Sequence, residues 1–305
     1  MKKILFQNDK NIYKANLHCH TTVSDGRHTP QEIKEMYKAR GYSVIAFSDH
    51  DKLVSQSHLN DDNFLAINSL EVGLGQPETS IPGVKKRVYH FNLLALDPAM
   101  HKTPPLMQMD YYDTDAVNDY IQARTNEGYL VSYNHPYWSM QTYEEYAKLE
   151  GLFAMEIYNH GCEVGDGYYG YNPQVYDEML RANGRLYCIA TDDNHNICED
   201  SFGGYVMINA AGLTYSCIID ALKAGDFYSS QGPEIYEISI DDKKLKVKCS
   251  GVELIVVYTD SRIGYSKKGT NIQEAEFDLQ GTERYVRIMC KDEKGHGGFS
   301  NAYWL

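Results

Sequence analysis

The sequence predicts an α/β chain followed by a small antiparallel β-sandwich. Up to about residue 230, apolar runs of β type alternate with helical stretches, the pattern of a parallel sheet, open or closed into a barrel. Several runs, such as Val44-Ile45-Ala46-Phe47, are short and continuously apolar, as strands buried on both faces are. After Gln231-Gly232-Pro233 the apolar period becomes two, and short runs are separated by polar turns. With 305 residues there is room for a large unit and a small one, so the expected division is 1–230 and 231–305.

In order, the expected strands of the first unit lie near 15–18, 43–48, 65–70, 87–95, 129–133, 154–158, 186–191 and 204–209. The helices between them are punctuated. Thr29-Pro30 offers an N-cap with proline at the first helical position, Ile33, Met36 and Tyr37 form an apolar stripe, and Gly41 stops the helix. Asn172-Pro173 opens a second, with Val175, Met179 and Leu180 inward and Gly184 beyond. A third runs over 214–224 and ends at Gly225. In the second unit, 235–240, 245–249, 254–258, 275–279 and 285–290 read as strands, with Asp241-Asp242 as a hairpin turn.

Composition narrows the classes. No run of about 18 apolar residues exists, so no membrane span is expected. The opening Met1-Lys2-Lys3 is followed by only three apolar residues, too few for a secretory core. Seven dispersed cysteines without a CxxC pair fit a reducing compartment, and a cytoplasmic protein is expected. A net charge of −13 argues against general nucleic-acid binding but not against an anionic substrate, because bound cations reverse a local field. The 26 tyrosines read as packing residues with hydroxyls at the rim. No residue pattern speaks to oligomeric state.

The chemistry lies in polar residues at strand ends. His18 and His20, two apart after an apolar strand entry, leave one face of a strand and can grip one cation. Asp25 follows in Ser24-Asp25-Gly26. The run 44–47 ends in Ser48-Asp49-His50-Asp51, and the next strand ends in Leu70-Glu71. His90 lies in the strand near 87–95, the strand near 129–133 runs into Asn134-His135-Pro136, and that near 186–191 into Thr191-Asp192-Asp193-Asn194-His195. A lone histidine is more often a satisfied core residue. Six of eleven histidines, mixed with carboxylates and repeatedly placed at strand ends, point instead to a site on a barrel rim. Such an oxygen- and nitrogen-rich donor set suits Zn²⁺, Mn²⁺ or Fe²⁺ and is unlike a structural zinc site.

Taken in order, HxH, Asp-Gly, Asp-His-Asp, Glu, His, Asn-His-Pro and Asp-x-His resemble the PHP (polymerase and histidinol phosphatase) family over about residues 14–230. The resemblance implies a distorted seven-stranded βα barrel, TIM-like in outline, and hydrolysis of phosphoesters with two or three divalent metals. The tail, ending Ser300-Asn301-Ala302-Tyr303-Trp304-Leu305, is similar to the β-domain of CehA/McbA-like members, which include carbamate- and amide-cleaving enzymes. By matching position, His18, His20, Glu71 and Asp193 would hold one metal. Glu71 would bridge to a second, completed by His90 and His135, and Asp25, His50 and His195 would hold a third. His101 is the alternative to His90, because 72–86 is a long insertion. Glu71, Asp193 and His195 would also serve the reaction, with Asp192 facing substrate, protonating the leaving group or standing behind the ligands. Glu156 is expected to orient a ligand, contact substrate or be structural.

The resemblance implies a small phosphorylated substrate, a monoester or diester, cleaved by a metal-activated hydroxide. Two other readings stay open: a carbamate or amide hydrolase on the same metals, and a non-catalytic PHP-like binding module. The amidohydrolase superfamily also begins with HxH, but no lysine occupies a matching strand end, and Glu71 already suits the bridge. Arg27 and Lys52 read as solvated charges, and His28, His58, His160 and His296 as surface or loop residues.

Overall fold

A computed structural model of the chain describes residues 2–77, 86–182 and 184–305. Residues 78–85 of the insertion before His90 lie outside the described residues. The fold is mixed α/β and rich in strands. Its elements are β1 (Lys3–Gln7), β2 (Asn11–Asn16), α1 (Pro30–Lys38), β3 (Tyr42–Phe47), β4 (Leu65–Gly75), β5 (Val88–Ala95), α2 (Thr114–Asn126), β6 (Tyr129–Tyr133), α3 (Tyr143–Tyr146), β7 (Ala154–Asn159), α4 (His160–Val164), α5 (Pro173–Ala182), β8 (Tyr187–Thr191), β9 (Tyr205–Ala210), α6 (Tyr215–Ala224) and β10 (Phe227–Ser230). Six further strands follow, β11 (Ile235–Asp241), β12 (Lys244–Thr259), β13 (Tyr265–Asp278), β14 (Tyr285–Lys291), β15 (Gly297–Ser300) and β16 (Tyr303–Trp304).

The helix signals hold where they were read. Thr29 caps α1 through a reciprocal bond with Glu32, with Pro30 at the start and Ile33 and Tyr37 buried. Thr214 caps α6, and Gly225 closes it in the left-handed region at φ 70°. Helix α2 is not among the three helices expected from the sequence. It is held by an Asp113 cap and by Val117, Tyr120, Ile121 and Arg124, which are buried at helical spacing.

The expectation of an all-parallel first sheet fails at β5. Strands β2, β3 and β4 run parallel, as do β6, β7 and β8, but β5 is antiparallel to both β4 and β6. Strand β4 is longer than expected for this reason: it pairs with β3 up to Asn68 and then with β5 from Ser69 to Gly75. Strand β9 is antiparallel to β2. Beyond the ends of β2 and β8, a parallel bridge between Cys19 and Asn194 brings the two together, with Asp193 N donating to His18 O at 2.9 Å and His20 N to Asn194 O at 3.1 Å.

The C-terminal strands continue the same hydrogen-bonded path, in which β10 pairs with β15 and β15 with β14. Two expected strands, 245–249 and 254–258, form one bent strand, β12. It pairs first with β11 and then with β14, with β13 along its other side. The opening segment, read only for targeting signals, forms β1 on the edge of β11 and buries Phe6 among Ile235, Ile238 and Val247.

Arg287 of β14 reaches across to α5. It is 1% exposed, grips both Asp177 oxygens at 2.6 Å from Nε and Nη2, and lies 3.9 Å from the Tyr258 ring centroid. Removing one partner strands the other charge inside the protein. Arg287→Ala is expected to lower unfolding free energy in urea by about 3–5 kcal/mol; a loss under about 1 kcal/mol, the scale of an exposed pair, would show the pair to be solvated.

Candidate metal centre

Backbone pairing gathers the histidines and carboxylates at one rim. His18 and His20 follow β2, and Asp193 and His195 follow β8, the two segments joined by the Cys19–Asn194 bridge. His50 follows β3 and pairs with Glu71 of β4, where Asp51 N donates to Glu71 O at 2.8 Å. His135 follows β6. His90 stands near the amino end of β5, which is the same rim because β5 runs against its neighbours. Gly26 lets the Asp25 loop turn back here: a Cβ at that position would lie 2.6 Å from His20 O. His135 and Asp193 adopt φ of 26° and 51°, conformations rare for side-chain-bearing residues and held only where the surroundings over-determine them.

The donor atoms converge in three adjoining groups. In the first, Asp193 Oδ1 is 3.0 Å from both His18 Nε2 and His20 Nε2, and the Glu71 oxygens are 3.4 Å from the same two nitrogens. In the second, Glu71 Oε1 is 3.1 Å from His90 Nδ1 and 3.2 Å from His135 Nε2. In the third, Asp25 lies 3.8, 3.6 and 3.4 Å from His20, His50 and His195. All nine residues read as ligands from the sequence stand in these groups. His20 lies between the first and third, while Glu71 joins the first to the second.

A cation fits this arrangement. Ligand bonds of about 2.0–2.1 Å place neighbouring ligand atoms about 3.3 Å apart around a tetrahedral ion, the spacing of the first group. His20 Nδ1, His90 Nδ1 and Asp193 Oδ1 are buried and lack a hydrogen-bond partner among the described residues, although opposite groups stand close by. Polar atoms that crowd together without hydrogen-bond geometry are what ligands to a shared ion show.

A further layer fixes the donors. Glu156, fully buried, accepts from His18 Nδ1 at 2.7 Å and so presents Nε2 to the centre. It also accepts from Thr191 Oγ1 at 2.7 Å and from His135 N and Asn159 Nδ2 at 2.8 Å. Asn134 donates to Glu71 Oε1 at 2.8 Å, and Ser139 engages His135 Nδ1 at 3.1 Å. Asp49 ties down the loop after His20 by accepting from Thr21 and Ser24. Asp192 turns away from the centre. Its carboxylate accepts from the Tyr37 hydroxyl and from the backbone N–H of Phe202, Gly203 and Gly204 at 2.8–2.9 Å, and it does not line the cavity.

A cavity of about 430 Å³ opens over the centre, walled by Trp138, Gly161, Cys162, Asp166, Ile197 and Cys198. None of these was read from the sequence. Trp138 packs edge-on against His135, with ring centroids 4.9 Å apart. Gly161 has a detectable reason: a Cβ there would lie 2.9 Å from Asp193 O. His101 is elsewhere, exposed, with Nδ1 on Ala99 O at 2.7 Å. Lys52 Nζ is on Val23 O at 2.6 Å, and Arg27 is exposed.

The charges are strongly coupled. Burial works against the imidazolium of His18, His20 and His135, yet hydrogen bonds and the charges of Asp193 and Glu71 prevail and raise all three, His20 to about 9. Burial also works against the Glu71 carboxylate, but His90, His18 and His50 hold its pKa well below the ordinary range. For His50 burial prevails, and its pKa is lowered.

The raised pKa values of His18, His20 and His135 favour their protonated forms in the metal-free protein, and a cation must displace those protons. Zn²⁺ binding is expected to release protons and to strengthen as pH rises toward 9. Calorimetry in buffers of different ionisation heat measures this, and an apparent heat independent of buffer would exclude it. Glu156→Gln, which disturbs the His18 tautomer, should weaken metal binding about 10–100-fold in chelator competition; unchanged affinity would make Glu156 a packing residue only.

No family model and no curated protein matches the chain. Solved structures do. A two-domain protein of Bacteroides vulgatus, containing a predicted PHP-like metal-dependent phosphoesterase, aligns with a TM-score of 0.52 at 16% identity, over 99% of this chain and 97% of its own. A Bifidobacterium adolescentis protein, provisionally a metal-dependent phosphoesterase, aligns with a TM-score of 0.41 at 14% identity over 60% of this chain and 87% of its own. An amidohydrolase of Chromobacterium violaceum, solved with sulfate and no metal, aligns with a TM-score of 0.40 at 14% identity over 61% of this chain and 89% of its own. Over nearly its whole length, then, this chain shares the fold of the two-domain Bacteroides vulgatus protein.

Proposed function

We propose that this protein is a metal-dependent hydrolase of small phosphoesters, holding two or three Zn²⁺, Mn²⁺ or Fe²⁺ ions. The observation that carries the proposal is the convergence of nine histidine and carboxylate side chains, from six strands or the residues just after them and one loop, on three adjoining donor groups under a single cavity. His18, His20, Glu71 and Asp193 would hold one ion. Glu71, His90 and His135 would hold a second, and Asp25, His50 and His195 a third. Divalent cations at such a site polarise a phosphoryl or carbonyl oxygen and make a bound water acidic.

The chain's own residues supply orientation. Glu156 and Ser139 fix the rings of His18 and His135, and Asn134 holds Glu71. Asp192, with its four hydrogen bonds, supports the loop at Phe202–Gly204 rather than moving a proton. Asp193 is held by Asn159 at 3.1 Å, and the Trp138 ring lines the cavity against His135. The same reading takes 1–230 as the hydrolase unit, a distorted barrel closed at the Cys19–Asn194 bridge, and 231–305 as a β-unit that borrows β1. It assigns the chain to the cytoplasm on its dispersed cysteines. No described helix is long and apolar enough to cross a membrane.

One observation favours a second reading. Among the described residues, the cavity is lined by Asp25, Asp166, Asp193 and Asp200 and by no lysine or arginine. A dianionic monoester would depend on the bound cations alone for neutralisation, whereas a diester, carbamate or amide asks less of them.

Protein purified without chelator is expected to contain two or three metals per chain by elemental analysis. Loaded with Mn²⁺, Zn²⁺ or Fe²⁺, it should hydrolyse p-nitrophenyl phosphate or bis-p-nitrophenyl phosphate, and His18→Ala with His20→Ala should abolish turnover. Turnover confined to carbamates or amides would replace the phosphoesterase reading with the second one. A metal-replete protein inert toward all of these would leave a binding module.

A further inference from the structure

A second cavity, of about 780 Å³, lies at the opposite end of the strands that carry the metal centre. Tyr129 and Tyr187 on its wall begin β6 and β8, and Phe153 immediately precedes β7. The ligand residues follow the far ends of β6 and β8, roughly 15–20 Å away for strands of this length. The remaining wall comes from β1, the end of α6 and the tail, where Tyr303 and Trp304 pair with Val286 and Tyr285. The cavity therefore sits where the C-terminal strands meet the first sheet, a common place for ligand sites, and its volume is in the range of small-molecule pockets.

Two features of its lining point to a ligand class. The walls are aromatic: Phe153 and Tyr187 meet edge to face at 5.7 Å, and the Arg185 guanidinium lies 5.5 Å from the Trp304 ring centroid. The rim is cationic. Lys3, Arg185 and Lys223 are exposed and form no ion pair among the described residues, in a chain whose net charge is −13. The one acid of the lining among the described residues, Asp226, is already paired with Lys10 at 2.5 Å.

We propose that this cavity is a second binding site, separate from the metal centre, for a small molecule with a planar aromatic ring and one carboxylate. The ring packs between Trp304 and the Phe153–Tyr187 wall, and the carboxylate meets Arg185 and Lys223.

The test is calorimetric binding of 2-naphthoate to the full chain, with 2-naphthamide and cyclohexanecarboxylate as probes of charge and ring. Trp138→Phe protein leaves Trp304 as the only tryptophan, so its fluorescence reports on this cavity alone. One-to-one saturable binding that changes Trp304 emission is expected. Arg185→Gln with Lys223→Gln, both exposed side chains, should weaken it about tenfold, as the amide probe should, through loss of charge-assisted hydrogen bonds. Cyclohexanecarboxylate should also bind more weakly. Chelator treatment, or His18→Ala with His20→Ala, should leave the affinity unchanged. Absence of saturable binding, affinity unchanged in the charge variant, or binding lost with the histidines would each overturn the proposal.

Discussion

A buried carboxylate surrounded by imidazoles is the constraint on which the rest of this structure depends. Glu71 is 1% exposed, and five histidine side chains stand 3.1–3.4 Å from its oxygens: His18, His20, His50, His90 and His135. Moving a carboxylate into a protein interior costs several kcal/mol unless opposite charge or a cation compensates it. Each of the five rings comes from a different position in the chain, so the carboxylate is tolerable only when β2, β3, β5 and β6 are in register around β4. The electrostatics of the candidate centre and the topology are thus one requirement.

The antiparallel course of β5 is how the chain meets it. A parallel strand at this place would put His90 at the far rim, away from Glu71. Reversed, β5 sets His90 opposite Gly73, where a Cβ would lie 2.9 Å from the imidazole. The rim is then completed by backbone bonds that join the ends of β2 and β8, and by left-handed conformations at His135 and Asp193. These strained positions lie among the donors, and the buried acceptors Glu156 and Asp49 hold the neighbouring backbone.

The far end of the same strands has the opposite character. The metal rim gathers carboxylates and imidazoles. The other cavity gathers aromatic rings and cations that form no ion pair among the described residues, brought together from β1, the starts of β7 and β8, α6 and the tail. An acidic chain thereby presents a concave negative surface and a concave positive one on a single sheet. The Arg287–Asp177 pair, with both ends largely buried, ties the C-terminal strands to α5.

Much of the local structure and the residue types of the candidate centre were legible in the sequence. Helix boundaries at Thr29, Gly41, Thr214 and Gly225 follow from capping and left-handed backbone preferences, which act over a few residues. The placement of His18, His20, His50, His135, Asp193 and His195 just after apolar strands follows from the runs that precede them. Strand direction, the pairing of β1 with β11, the merging of two runs into β12 and the orientation of Asp192 were not legible. Each depends on hydrogen bonds between segments tens to hundreds of residues apart, and apolar periodicity is the same whichever way a strand points. The sequence by itself determined which side chains are able to bind a cation and that they stand at strand ends. Only the tertiary structure decided that one carboxylate faces five of those rings, because that depends on strand direction and register, which long-range pairing sets.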